Sequence, residues 1–235
     1  MTEPPIRVLD TGTSPPDEIP EGVEVRHQPA LVRRALPIDR DDLEALLDDP
    51  HHVVFYSRFA AQIIVDLDLP LQSHRLWAVG KKTAKQLKSQ LASAVDVPTD
   101  ENFEGLRAAL SACGDPRPIV AFSLQDQTRD LSPVARNWSV DFTDFPVYES
   151  APADRRDLAG AFDAHRPHWV TLTSSRGAHS VVDAIDTDRL RHTRIAAIGP
   201  STAHTATELG ILPNLVPDTP DRTGLLQAIA NFDIS

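Results

Sequence analysis

The chain has 235 residues, 41% hydrophobic and 24% charged, which fits one large domain or two modest ones and excludes a disordered or collagen-like polymer. Lys and Arg total 23 against 34 Asp and Glu, a net charge of −11. That balance disfavours a nucleic-acid partner, whose phosphates call for a basic surface.

In chain order, short apolar runs predict strands at residues 6–9 and 23–27, then a helix over 39–47. Strands at 53–56 and 76–79 alternate with helices at 59–66 and 82–91, followed by a short strand near Asp96-Val97 and a helix over 103–111 capped by Asn102. Strands are expected at 119–122 and 140–148, a helix over 154–164, a strand at 169–173 and a helix over 177–185. The chain closes with a strand at 194–198, a helix over 202–209, a short strand near Leu215-Val216 and a helix over 223–231 capped by Asp221. The strand runs lack strict alternation, as parallel strands buried on both faces do. Strand–helix alternation predicts an α/β fold.

An internal repeat organises these elements. Val53-Val54-Phe55-Tyr56-Ser57 matches Val170-Thr171-Leu172-Thr173-Ser174, with the serines 117 apart. Gly80 and Gly199, Thr83 and Thr202, and Gly105 and Gly224 are each 119 apart. Two copies at that period mean duplication and not a solenoid. Counting strands predicts two similar five-stranded parallel-sheet domains, flavodoxin- or Rossmann-like. One is discontinuous (residues 1–29 with 154–235) and one continuous (38–146), with hinge linkers at 30–37 and 147–153.

In open α/β sheets ligands bind beyond the carboxyl ends of strands. Ser57, Thr83, Ser174 and Thr202 stand there, at or near helix starts whose free N–H groups attract anions. The same hydroxyls can simply cap their helices, and the two roles are compatible. Tyr148, one of two tyrosines, ends a strand where the chain leaves the middle domain. Its phenol can donate to a departing hydroxyl, or its ring can pack at the hinge. Arg176 and Arg194 flank the second copy of the repeat, and Arg58, Lys81 and Lys82 the first; each can pair with a carboxylate or remain a solvated charge. His165 and His168 have metal-compatible spacing but no clustered third ligand, so no metal is expected. Cys113 is the single cysteine, so no internal disulfide forms. Met1-Thr2-Glu3-Pro4-Pro5 has neither the basic start nor the apolar run of a secretory leader, and no stretch approaches a membrane span. A cytoplasmic monomer with no membrane partner is expected.

The organisation resembles the uroporphyrinogen-III synthase family. The resemblance lies in Phe55-Tyr56-Ser57, Leu172-Thr173-Ser174, Ala78-Val79-Gly80-Lys81-Lys82-Thr83-Ala84, Ala197-Ile198-Gly199-Pro200-Ser201-Thr202-Ala203, Val147-Tyr148 and Thr223-Gly224-Leu225-Leu226. It implies a lyase of tetrapyrrole biosynthesis that uses no cofactor. Its small-molecule substrate, the linear tetrapyrrole hydroxymethylbilane, loses water, inverts its last pyrrole ring through a spiro intermediate and closes to uroporphyrinogen III. It also implies a substrate with eight carboxylates held between two domains, with Tyr148 catalytic and Ser57, Thr83, Ser174, Arg176, Arg194, Gly199, Ser201 and Thr202 binding. The chain departs from the family pattern in three places. A proline-rich loop over 10–22 stands where a helix is usual, and Asp10 replaces an arginine after the first strand. Ser123-Leu124-Gln125 replaces Arg-Gly, and Arg58 a proline. These departures keep a second class open, a non-catalytic two-domain module that binds an anionic ligand.

Overall fold

The computed structural model describes residues 4–232, with Ala92 and Thr128 excepted. In chain order the elements are β1 (Ile6–Asp10), β2 (Val23–His27), β3 (Leu31–Ala35), α1 (Arg40–Leu46), β4 (His52–Phe55), α2 (Arg58–Asp66), β5 (Arg75–Ala78), α3 (Lys81–Leu91), β6 (Val95–Asp96) and α4 (Phe103–Ala112). They continue with β7 (Ile119–Leu124), α5 (Ser132–Trp138), β8 (Phe142–Pro152), α6 (Arg155–His165), β9 (Trp169–Leu172), α7 (Ser175–Ala184), α8 (Thr187–Leu190), β10 (Arg194–Ala197), α9 (Pro200–Glu208) and α10 (Arg222–Ala230). The chain divides into two units, Met1–Val32 with Ala151–Ser235, and Arg33–Ser150.

In the middle unit the sheet order is β3-β8-β7-β4-β5-β6. β4 pairs parallel with β5 and β7, and β7 parallel with β8. All four residues of β4 are buried. Its alternation sends Val53 and Phe55 to a core with Leu43, Ile64 and Leu87, and Val54 to a second core with Leu106, Leu110 and Ile119. Each face of the sheet is thus covered by helices, which is why the strand sequence reads as continuously apolar.

The terminal unit repeats the plan with the order β10-β9-β1-β2, all parallel. Leu9, Val170 and Leu172 pack with Leu158 and Val181 on one face. Val8, Trp169 and Ala196 pack with Leu225 and Ile229 on the other. Residues 11–22 contain no helix.

Three expectations are corrected. The strand count is not five and five. The expected strand near Leu215-Val216 is reduced to one bridge, Ala196 to Leu215, leaving four strands in the terminal sheet. The middle sheet has six, because residues 31–35, expected within a linker, form β3 next to β8. Leu36 N–H donates to Val147 C=O and Ala153 N–H to Ala30 C=O, both at 3.0 Å, in antiparallel register. The third correction is α5, a seven-residue helix with Pro133 in its first turn, which the apolar pattern did not reveal.

Candidate active site

In the middle unit the carboxyl ends of β4, β5 and β7 bring together Ser57, the Gly80–Thr83 turn and Tyr148. Ser57 is extended (φ −150°) and caps α2, its Oγ accepting from Ala60 N–H at 3.1 Å. Tyr148 pairs with Leu124, the last residue of β7, beyond an irregularity in the ladder. Its ring is buried and meets Phe59 of α2 edge-on at 5.1 Å. Among the described residues its hydroxyl has no hydrogen-bond partner. Tyr56 follows β4 on the same edge. Its hydroxyl is buried without a partner, burial pushes its ionisation well up, and Arg129 stacks on its ring at 4.8 Å.

The start of α3 is not open. Glu101 places one carboxylate oxygen 2.8 Å from Lys81 N and the other 2.9 Å from Lys81 Nζ. The chain's own carboxylate therefore sits where sequence reasoning expected a ligand's. Its hydrogen bonds from Lys81 hold Glu101 below the usual carboxylate range. Thr83, buried, lies one turn inside. The position 119 residues after Glu101 is Pro220, so the signal for this difference was present in the repeat itself.

In the terminal unit the corresponding helix start is open. Gly199 is the N-cap of α9, contributes no side-chain cap and is followed by Pro200. Ala203 N–H returns to Gly199 C=O, while Ser201 and Thr202 N–H have no partner among the described residues. A Cβ on Gly199 would touch only Pro220. Ser174 caps α7 through Gly177 N–H at 3.0 Å. Thr205 Oγ1 and Ser175 Oγ, 2.8 Å apart, tie the start of α7 to the middle of α9. Ser201 and Arg176 are exposed, whereas Thr202 is only 5% exposed.

Sequence reasoning gave Asp10 no role. It ends β1 fully buried, with Oδ2 2.6 Å from His27 Nδ1 and in contact with Arg222 Nη2. Thr171 Oγ1 donates to Oδ1 at 3.3 Å. Arg222, at the start of α10, lies flat on Gly12, where a Cβ would come within 2.6 Å of the guanidinium carbon. It also donates to Ser14 C=O, which pins the loop that follows β1. A guanidinium thus stands at the end of the first strand after all, supplied from 212 residues away.

Arg194 does not join this edge. It opens β10, while Gly199 lies beyond the strand's other end, which is about 10 Å away at the rise of a strand. Its guanidinium stacks on Trp169 and Phe232 instead. Among the described residues no group of three or more metal-ligating side chains gathers. No helix among them is long and apolar enough to cross a membrane.

A family model described as uroporphyrinogen-III synthase HemD matches residues 21–227, most of the chain. The chain belongs to the uroporphyrinogen-III synthase family. A uroporphyrinogen-III synthase of Chlorobaculum parvum is 26% identical over 188 residues, 77% of this chain and 76% of that protein. Among solved structures, a uroporphyrinogen-III synthetase of Helicobacter pylori superposes with a TM-score of 0.65 at 16% identity, covering 96% of this chain and 98% of that one. A mutant synthase of Thermus thermophilus reaches 0.53 at 17% identity, covering 96% and 97%. At such identities the two superpositions speak for the fold. They match the family's two-domain α/β architecture to the parallel sheets described above.

Proposed function

We propose that this chain catalyses the family's reaction, closing hydroxymethylbilane to uroporphyrinogen III with loss of water and inversion of the last ring. The observation that carries the reading is the open start of α9 within a chain that belongs to the family. Ser201 and Thr202 offer N–H groups that no described residue engages, beside the uncapped Gly199. A substrate carboxylate there completes their hydrogen bonding and meets the positive end of the helix dipole, worth about 0.3–1 kcal/mol at an exposed helix end. Such neutral donors suit a protein of net charge −11, because they hold an anion without adding a cation.

Ser174, Ser201, Thr202 and Arg176 are the substrate contacts in the terminal unit; in the middle unit Ser57 is the contact, because Glu101 already occupies the helix start beside Thr83. Tyr148 is the catalytic donor. As the carbon–oxygen bond of the hydroxymethyl group breaks, the oxygen gathers negative charge and leaves as water after taking up a proton. A phenol hydrogen-bonded to that oxygen stabilises the developing charge. Tyr148 suits the task by its place beside the carboxyl end of β7 and by a hydroxyl that no described residue engages.

The test supplies fresh hydroxymethylbilane and separates the porphyrin isomers, since uncatalysed closure gives type I. Type III from the wild-type chain is expected. Tyr148→Phe should lower turnover by about 10²–10³, the usual cost of one positioned donor, without moving the unfolding midpoint. Only type I from the wild-type chain would establish the non-catalytic reading.

A further inference from the structure

A cavity lies at the opposite edge of the terminal sheet from Gly199 and Ser174. It measures about 680 Å³, within the range that takes small organic ligands. It opens at the amino ends of β9 and β10, between the end of α8 and the turn after α9. His168, Arg191, His192 and Arg194 line it, and no carboxylate does. This is a basic pocket in an acidic protein.

Its donors are oriented. His168 Nδ1 accepts from Arg7 N–H at 3.2 Å, so the neutral ring carries its proton on Nε2. Burial, with the nearby Arg7, Arg194 and His165, holds His168 below the ordinary imidazole value and therefore neutral near pH 7. Arg194 turns its guanidinium to the other face of the sheet, onto Trp169 at 5.8 Å, and Arg191 is steadied by Asp188 at 3.0 Å. The backbone N–H groups along this wall are already engaged, so the side chains are the donors. Gly210 N–H bonds Thr207 C=O and Ile211 N–H bonds Ala206 C=O, both at 3.0 Å, which closes the last turn of α9. Asn214 is spent on Ile195, its side chain accepting from Ile195 N–H and its own N–H donating to Ile195 C=O, both at 2.8 Å. Leu190, Ile195 and Ile211 supply an apolar floor, and Leu212, 73% exposed, stands at the rim with nothing over it.

We propose that this cavity is a second binding site, for a small anion that joins a compact oxyanion head to an apolar body. Nε2–H of His168 and the side chains of the Arg191–His192 turn hold the head, and Leu212 covers the body. Carboxylate and phosphate heads share this chemistry. The site is separate from the family reaction and does not depend on it.

The experiment titrates the ¹⁵N-labelled full chain with phenyl phosphate, benzoate and inorganic phosphate, following backbone amide shifts. Phenyl phosphate or benzoate should move the amides of residues 190–195 and 210–214, and the tighter of the two identifies the head. Inorganic phosphate, lacking a body, should bind about fivefold or more weakly than phenyl phosphate. The double variant Arg191→Ala, His192→Ala changes two exposed turn residues. It should weaken binding about fivefold or more while the rest of the spectrum stays in place. Leu212→Ser should bring phenyl phosphate down to the level of inorganic phosphate. Three results overturn the proposal: no shifts at about 20 mM of any probe, shifts confined to residues 174–177 and 199–203, or affinities unchanged in both variants.

Discussion

Replacing Asp10 with Asn tests whether the buried carboxylate at the end of β1 holds the terminal unit together. The substitution keeps the side chain's size and removes its charge. Two charge-assisted contacts are lost, from Arg222 and His27, each ordinarily worth about 1.5–3 kcal/mol. Both partners keep about a fifth of their side-chain surface in water (22% and 20%), so they are partly rehydrated when the charge goes. The expected loss is therefore about 2–4 kcal/mol, below the simple sum and near the lower range for breaking a buried pair. Urea unfolding of a 5-fluorotryptophan-labelled chain reads this directly. Trp169 is the terminal unit's only tryptophan, while Trp77 and Trp138 belong to the middle unit. The Trp169 transition should move to lower urea in Asp10→Asn. A double-mutant cycle with Arg222→Gln should return a coupling of about 1–3 kcal/mol. A loss under about 0.5 kcal/mol, with no coupling, would refute the reasoning and make the contact an ordinary surface pair.

Other substitutions test the same physics elsewhere. Gly224→Ala should cost about 1–3 kcal/mol, because the new methyl lies 2.6 Å from Thr219 C=O, whereas Gly160→Ala, with open space around it, should add about 0.5–1 kcal/mol; urea midpoints of the pair decide it. Thr202→Ala should weaken hydroxymethylbilane binding by about 1–3 kcal/mol and leave stability within about 1 kcal/mol; unchanged binding by the folded variant would make the hydroxyl structural. His52 is buried, accepts from Trp77 Nε1 at 3.0 Å and lies 2.7 Å from Asp115 C=O, and burial is the main cause holding its pKa below the ordinary 6.5. The unfolded chain therefore takes up the proton first, so the His52 contribution is complete above pH 6.5 and declines as the pH falls below it. The stability difference between wild type and His52→Asn should shrink from pH 7 to pH 5; a constant difference would show that the ring's neutrality is not what matters.

The strands that carry the fold were legible because β4, β7 and β9 are buried on both faces and read as apolar runs. β3 was not, since only Leu31 of its five residues is buried and Arg33 and Arg34 face water. An edge strand with so little apolar surface looks like a linker. The capping residues Asn102 and Asp221 were readable from local chemistry, each accepting from a glycine N–H three residues on. The Asp10–Arg222 contact had no such signature: its partners lie 212 residues apart and neither belongs to a periodic pattern. Arg194 was misplaced for a simpler reason. Proximity to a motif in sequence does not say which end of a strand a residue occupies, and here the length of β10 separates it from Gly199.

The place of β1 in its sheet bears on how the chain is made. β1 lies between β2 and β9, and β9 begins roughly 160 residues after β1 ends. On a ribosome adding about 5–20 residues per second, Val8 and Leu9 wait roughly 8–30 s for the neighbour that completes their ladder. During that wait the whole middle unit emerges and can close on its own contacts, since it is one continuous segment. The first strand made is thus among the last to be enclosed. The stretch most exposed to wrong pairing in the newborn chain is the one followed by Pro15, Pro16 and Pro20, residues that cannot donate to a ladder and so discourage another strand from zipping onward past Asp10.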